Sequence, residues 1–145
     1  MAVKKYFSDA DNTITNAFRE SLQTRGTEAN MGLADVLETF SIYGQESSGS
    51  TELERILIKF PTNQIAQDRL AGIIPEQGSV TFYLNMYNAP HNQTTPREGK
   101  LVVLPVSQSW QEGTGLDMEE YTDLGASNWI KASTGNVWTG DRDGG

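Results

Sequence analysis

Period-two alternation is the feature that limits this chain most. In SVTFYLNMY, residues 79–87, Val80, Phe82, Leu84 and Met86 fall on one side of an extended backbone, and Thr81, Tyr83, Asn85 and Tyr87 on the other. Successive side chains of a strand point to opposite faces, so this spacing marks a half-buried β-strand rather than a helix of 3.6 residues per turn. VLETFSIYG (36–44) repeats the pattern with Val36, Phe40 and Ile42, Glu38 being the exception. ELERILIKF (52–60) sets Ile56, Ile58 and Phe60 against Arg55, Leu57 and Lys59. KLVVLPVS (100–107) is apolar on both faces, and Pro105, which has no N–H, is expected to end or kink it. NTITNAF (12–18) is a weaker strand candidate.

Between these runs lie pieces rich in Gly, Pro, Asn and Ser, at 24–32, 44–50, 75–79 and 88–99, which supply turn conformations. One helix is expected, over NQIAQDRLAG (63–72), about two turns long, with Asn63 as its cap and Gly72 as its terminator. Its apolar positions are Ile65 and Leu70. Short strands separated by turns predict an all-β fold: an antiparallel β-sandwich, jelly-roll-like, with one short helix, forming a single domain over residues 1–145. The sandwich reads as incomplete at its C-terminus. Val137 and Trp138 look like the start of another strand just before the final glycines, so the last strands are either missing from the chain or supplied by a partner that covers the open edge.

At 145 residues the chain is long enough for a core without disulfide or metal staples. Hydrophobic residues make up only 37%, so the core is expected to be modest or completed by another chain. The formal net charge of −8, with no basic cluster larger than Lys4-Lys5, argues against nucleic acid and against an anionic membrane as partner. Cysteine is absent, which removes disulfides, thiolate metal sites and a cysteine nucleophile. MAVKKYFSDAD lacks the apolar stretch of a signal peptide, so synthesis in a cytoplasm without an export signal is expected.

Catalytic templates are not met. His91, the one histidine, sits in a loop, and no G-x-S-x-G, phosphate-binding loop or dinucleotide fingerprint occurs. Acidic pairs exist, but neighbours in sequence do not establish the two-carboxylate geometry of a glycosidase. No catalytic residue and no cofactor are therefore expected. A structural calcium is the sharper metal idea, because calcium takes six to eight oxygens from loop carboxylates and carbonyls. Its candidates are Asp9, Asp11, Asp117 and Asp123, although neither SDADN nor GLDMEEYTD matches an EF-hand and ordinary solvated loops are the favoured reading. Aromatic side chains offer a second idea. Tyr83 and Tyr87 on the face opposite the inferred core, with Trp110, Trp129 and Trp138, are either an interface or platforms for sugar rings; the interface is favoured.

The order of the pieces carries a resemblance. DADNTITNAF, TRGTEANMGLADVLETF, STELERILIKFP, IIPEQGSVTFYLNMYN and LPVSQSWQEGTGLDM together resemble the DNRLRE-type domain. Asn30-Met31-Gly32, Arg55 to Phe60, Ile74 to Val80 and Trp110 to Gly113 fall in that family's slots, although the string that names it is absent. SQSWQEGTGLDMEEYTDLGASNW and MAVKKYFSDADNTITNAF are similar to virion structural proteins of tailed marine bacteriophages, cyanophage-like ones included. The resemblance implies a β-sandwich and a non-enzymatic virion protein exposed on the particle, as a head decoration or a tail or neck appendage. Its partners would be other virion proteins and further copies of itself, with no membrane involved. Some members of the family bind polysaccharide, so the alternative is a carbohydrate-binding module that recognises a host surface. The long piece 109–129 is expected to be a connection, pinned at its ends by Trp110 and Trp129 with its acidic middle in solvent.

Overall fold

The computed structural model describes residues 3–40, 52–92 and 101–140. Among them the protein is mostly β with one short helix, and its strands form three two-stranded antiparallel sheets. The chain divides into two compact units, one made of Met1–Tyr6 and Pro61–Val106, the other of Phe7–Phe60 and Ser107–Gly145.

The second unit holds all six strands found among the described residues. β1 (Ala10–Thr15) pairs with β3 (Glu54–Lys59) from Ala10 opposite Lys59 to Thr15 opposite Glu54. The weaker strand candidate thus forms a strand with four consecutive buried residues. Asn12, Thr13, Ile14 and Thr15 are all buried, so both of its faces are covered. On β3 Leu57 is buried between the exposed Arg55 and Lys59, while Ile56 and Ile58 on the other side are half-buried. When a run is apolar on both sides, alternation alone cannot say which side the neighbouring segments cover.

β2 (Ala29–Asn30) pairs irregularly with β4 (Asp117–Thr122), Ala29 lying opposite Thr122 and Asn30 opposite Asp117. β4 falls inside the piece expected to be a solvated connection. Its middle residues Glu119 and Glu120 are exposed as expected, but its backbone is laddered. β5 (Lys131–Ser133) and β6 (Asn136–Val137) form a tight hairpin through Thr134 and Gly135, whose φ of +74° only glycine adopts freely. The segment read as the start of an unpaired strand therefore folds back on its own predecessor. Residues 41–44 of the strand expected over 36–44, and residues 141–145, lie outside the described residues. The described part, 36–40, is irregular; it is docked by the Glu38 N–H on Thr13 Oγ1 (3.1 Å) and the Phe40 N–H on Glu54 Oε2 (2.8 Å).

The first unit carries α1 (Thr62–Leu70), close to the expected bounds and followed by Gly72 at φ +70°. Pro61, not Asn63, is the cap residue, and no side chain caps the helix. Pro61 precedes the first helical residue and its carbonyl accepts the Ile65 N–H (3.1 Å), so its missing N–H breaks no helical hydrogen bond. The apolar spacing misleads about the buried face: Leu70 is exposed and the buried helix residue is Asp68. Asp68 accepts from Tyr6 Oη (2.8 Å) and Gln64 Nε2 (2.8 Å) and pairs with Lys4 Nζ (3.1 Å). The hydrogen bond from Tyr6, then those from Gln64 and Lys4, hold its carboxyl below the ordinary range. Residues 79–87 and 101–107, the two other expected strands, belong to no described ladder.

Candidate interaction surface

Two features stand out in the described residues, and they invert the usual arrangement. The largest fully buried side chains are polar: Asn12, Asn30, Asn128, Thr13, Thr15 and Ser127. The longest apolar segments are exposed.

The polar core lies in the second unit and is closed by its own hydrogen bonds. Asn30 donates from Nδ2 to the carbonyls of Glu112 (2.7 Å) and Ser127 (2.9 Å), and its Oδ1 accepts from the N–H groups of Gly32 (3.2 Å) and Gly115 (2.8 Å). Asn12 donates to Ser127 O (2.9 Å) and Ser127 Oγ (2.8 Å) and accepts from the Met31 N–H (2.9 Å). Asn128 Oδ1 accepts from the N–H groups of Ile130 (2.9 Å) and Lys131 (2.8 Å). Peptide N–H groups face each oxygen and carbonyls face the NH₂ of Asn30, so the orientation of that amide is set by its surroundings. Such groups are tolerated inside because each desolvated donor and acceptor finds a partner.

Small residues let the backbone come this close. A Cβ on Gly32 would run into the Glu112 carbonyl, one on Gly115 into the Asn30 carbonyl, and one on Gly113, at φ +87°, into the Asn30 amide. The N-x-G piece at 30–32 and the W-x-E-G piece at 110–113 therefore meet. Both stood out in the sequence, but nothing in their separation showed that they form one structure. Chemically the cluster is a tie. Its amides are spent on backbone groups and on Ser127 Oγ.

The three tryptophans belong to the same unit and are half-buried. Trp129 is covered on one ring face by the Arg55 guanidinium, 4.5 Å from the ring centre, and its backbone N–H donates to Thr27 O (3.1 Å). Trp138 donates from Nε1 to Asn128 O (2.7 Å). Trp110 lies beside Gln111, whose N–H donates to Ala132 O (2.9 Å) and whose carbonyl accepts from the Ser127 N–H (2.8 Å).

The four calcium candidates are not brought together. Asp117 Oδ1 accepts from the N–H groups of Glu119 and Glu120 (2.8 Å each), and Asp123, at φ +48°, pairs with Lys131 Nζ at 2.5 Å. Asp11 has its N–H on Glu112 Oε1 (2.8 Å), and desolvation, then the Glu112 charge, raise its carboxyl. Asp9 is exposed, with its N–H on Lys59 O (2.9 Å). Among the described residues no three His, Cys, Asp or Glu side chains are grouped to hold a metal ion. His91 is exposed in its loop, near Asn88.

Glu54 was not foreseen. Its Oε2 is held by the Phe40 N–H, and Oε1 is buried with no hydrogen-bond partner. Desolvation pushes this carboxyl up to about 8, against the lowering effect of the Phe40 N–H and helped by the Glu38 charge. In sequence Glu54 is simply one of the charged residues that alternate with apolar ones.

The apolar surface is in the first unit. Tyr83 and Tyr87 are 81% and 94% exposed, but Phe82, Leu84 and Met86, expected to face the core, are exposed too, Phe82 by 61%. Leu101, Val102, Val103 and Leu104 are each exposed by 68% or more. No hydrogen bond joins the backbone of residues 80–87 or 101–106 to another described residue. Large apolar patches of this kind on a protein surface mark contacts with other molecules. The chain matches no protein-family model, no curated protein and no solved structure.

Proposed function

We propose that this chain is a non-enzymatic structural protein of a tailed bacteriophage particle, displayed on its outside as a head decoration or a tail or neck appendage and working through protein–protein assembly. The observation that carries the assembly reading is the pair of segments 79–87 and 101–106, rich in exposed apolar side chains and without ladder partners among the described residues. Unpaired strand-forming segments are templates for pairing with another chain. The phage setting rests on the resemblance described for residues 1–18 and 107–129. The finer architecture belongs to the same proposal: a jelly-roll-like sandwich in which the two segments become strands when a partner supplies the missing ladder. The chain would be made in a host cytoplasm and act in the virion. Sedimentation velocity of the full chain, alone and mixed with the other structural proteins of the particle, tests this. Concentration-dependent oligomers or stable mixed complexes are expected; a compact monomer with no affinity for those proteins overturns it.

A second reading, a carbohydrate-binding module, is favoured by one observation, the exposure of Tyr83 and Tyr87. Sugar platforms need rings fixed on a backed sheet, and this segment exposes Phe82 on its other side as well, so assembly is the better account. Glycan-array binding that is lost in Tyr87→Ala would reverse that preference.

A further inference from the structure

We propose that residues 101–106 pair antiparallel with the same residues of a second copy of this chain, through the edge that carries the N–H groups of Val102, Leu104 and Val106. The proposal rests on the assembly reading and names its first partner.

Pro105 decides the edge. Along an extended backbone, alternate residues direct their N–H and C=O groups to opposite sides, so residues 101, 103 and 105 serve one edge and 102, 104 and 106 the other. The first edge lacks a donor at Pro105, and proline is tolerated in a strand only where that nitrogen faces away from the ladder. The second edge has a donor at every position. Pro105 also biases Leu104 away from helical torsions, which keeps this edge available as a strand. A two-fold axis through the Leu104 pair sets Val102 opposite Val106 and Val103 opposite Pro105. Every bonded pair then has both of its N–H groups, and the proline faces outward in both copies.

Charge and area select the second copy as occupant. Neither 79–87 nor 101–106 contains a charged residue, in a chain of net charge −8. A partner chosen by charge would find no ion pair here, whereas two copies can approach through this region without opposing carboxylates. A strand apolar on both faces is best matched by another of the same kind, and 101–106 is one. Ten large apolar or aromatic side chains of the two segments are exposed by 44% to 94%. At roughly 150 Å² for a whole side chain they offer on the order of 1,000 Å². A stable interface needs about 800 Å² from each partner.

The test compares two proline variants of the full chain by sedimentation velocity across a concentration series. Leu104→Pro removes a donor from the pairing edge and is expected to weaken self-association at least tenfold. Val103→Pro removes one from the outward edge and is expected to leave it within about twofold. Tryptophan fluorescence checks that the second unit stays folded in both variants, and far-UV circular dichroism compares the two whole chains. Hydrogen exchange on the unaltered chain gives the same answer without a mutation: at high concentration the amides of Val102, Leu104 and Val106 gain protection, and those of Leu101 and Val103 do not. A chain that self-associates but responds equally to both prolines, or protects all five amides alike, overturns this pairing and leaves the assembly reading standing. A chain that stays monomeric at every concentration overturns the pairing. If it also binds no other structural protein of the particle, the assembly reading falls with it.

Discussion

Replacing Asn30 by Asp changes one heavy atom and leaves the shape of the core intact, so its consequence can be worked from the hydrogen bonds alone. Asn30 is 1% exposed. Its Oδ1, which accepts from Gly32 and Gly115, survives the substitution, but its NH₂, which donates to the carbonyls of Glu112 and Ser127, becomes an oxygen facing two oxygens. A protonated acid can still serve one of the carbonyls, so at low pH the loss is about one buried hydrogen bond, roughly 1–2 kcal/mol. The ionised acid serves neither and is repelled by both. Burial and these carbonyls raise the folded-state value above the ordinary aspartate value of about 4 in the unfolded chain. For a carboxyl raised on folding, the unfolded state ionises first as pH rises. Stability therefore falls by up to about 1.4 kcal/mol per pH unit from pH ~4 until the folded form also ionises. By pH 7 the deficit relative to the native chain reaches roughly 4 kcal/mol or more, comparable with the whole stability of a small domain. Urea unfolding followed by tryptophan fluorescence at pH 4.5, 6 and 7.5, native chain beside variant, measures it. Asn30→Ala is the control: it strands the N–H groups of Gly32 and Gly115 and should cost about 3–5 kcal/mol with no added pH slope. If the Asn30→Asp and native curves run parallel across this range, the amide does not sit between those carbonyls and the account of the core is wrong.

Glu54→Gln should stabilise the protein at pH 8. The native carboxyl is raised to about 8, so it loses stability as pH climbs from about 4.5 to 8, and glutamine has no charge to bury. About 1–2 kcal/mol is expected, after allowing for water at its partly open edge, with a flatter stability profile between pH 5 and 8. Tyr6→Phe should move the Asp68 titration upward in a carbon-detected NMR experiment, because the Tyr6 hydroxyl is the largest influence holding it down. Asp68 stabilises the first unit above the ordinary aspartate range, and that contribution should fade as pH falls through its lowered value. Trp138→Phe removes the indole N–H from Asn128 O and should lower the urea midpoint by the equivalent of about 1 kcal/mol.

How far the sequence could be read depends on where each signal comes from. β1, β3 and α1 were legible because local patterns encode them: alternation over 12–15 and 54–59, and a polar nine-residue run stopped by Gly72. β2 is two residues long and its partner is some ninety positions away, so no local pattern announces it. β4 carries acidic residues because its middle faces water, and that composition resembles a loop. The orientation of α1 was misread because its buried position is filled by Asp68, whose partners Tyr6 and Lys4 lie far off in the chain. The same applies to the asparagines. An isolated Asn signals a turn or a cap in sequence, and only the fold shows that Asn12, Asn30 and Ser127 share one network. Of the candidate site, the tyrosines and Pro105 were visible at once, whereas the absence of a ladder beside them was not.

That absence bears on what the protein is for. A buried polar network costs little only if every member is satisfied, and in the second unit Asn12, Asn30 and Asn128 are each bonded within their own unit. Such a core requires no partner. Residues 79–87 and 101–106 are the opposite case: their apolar side chains are exposed, and among the described residues they have no ladder partner. A sequence selected only to fold as a monomer gains nothing by keeping Leu101, Val102, Val103 and Leu104 together in solvent, because each adds aggregation risk without burial. On the proposed assembly reading a partner covers this run, and the lack of charge there, inside a chain of net charge −8, marks where it would dock. On that reading the assembly function is to be sought at this surface rather than in the asparagine core, whose amides are spent on their own unit.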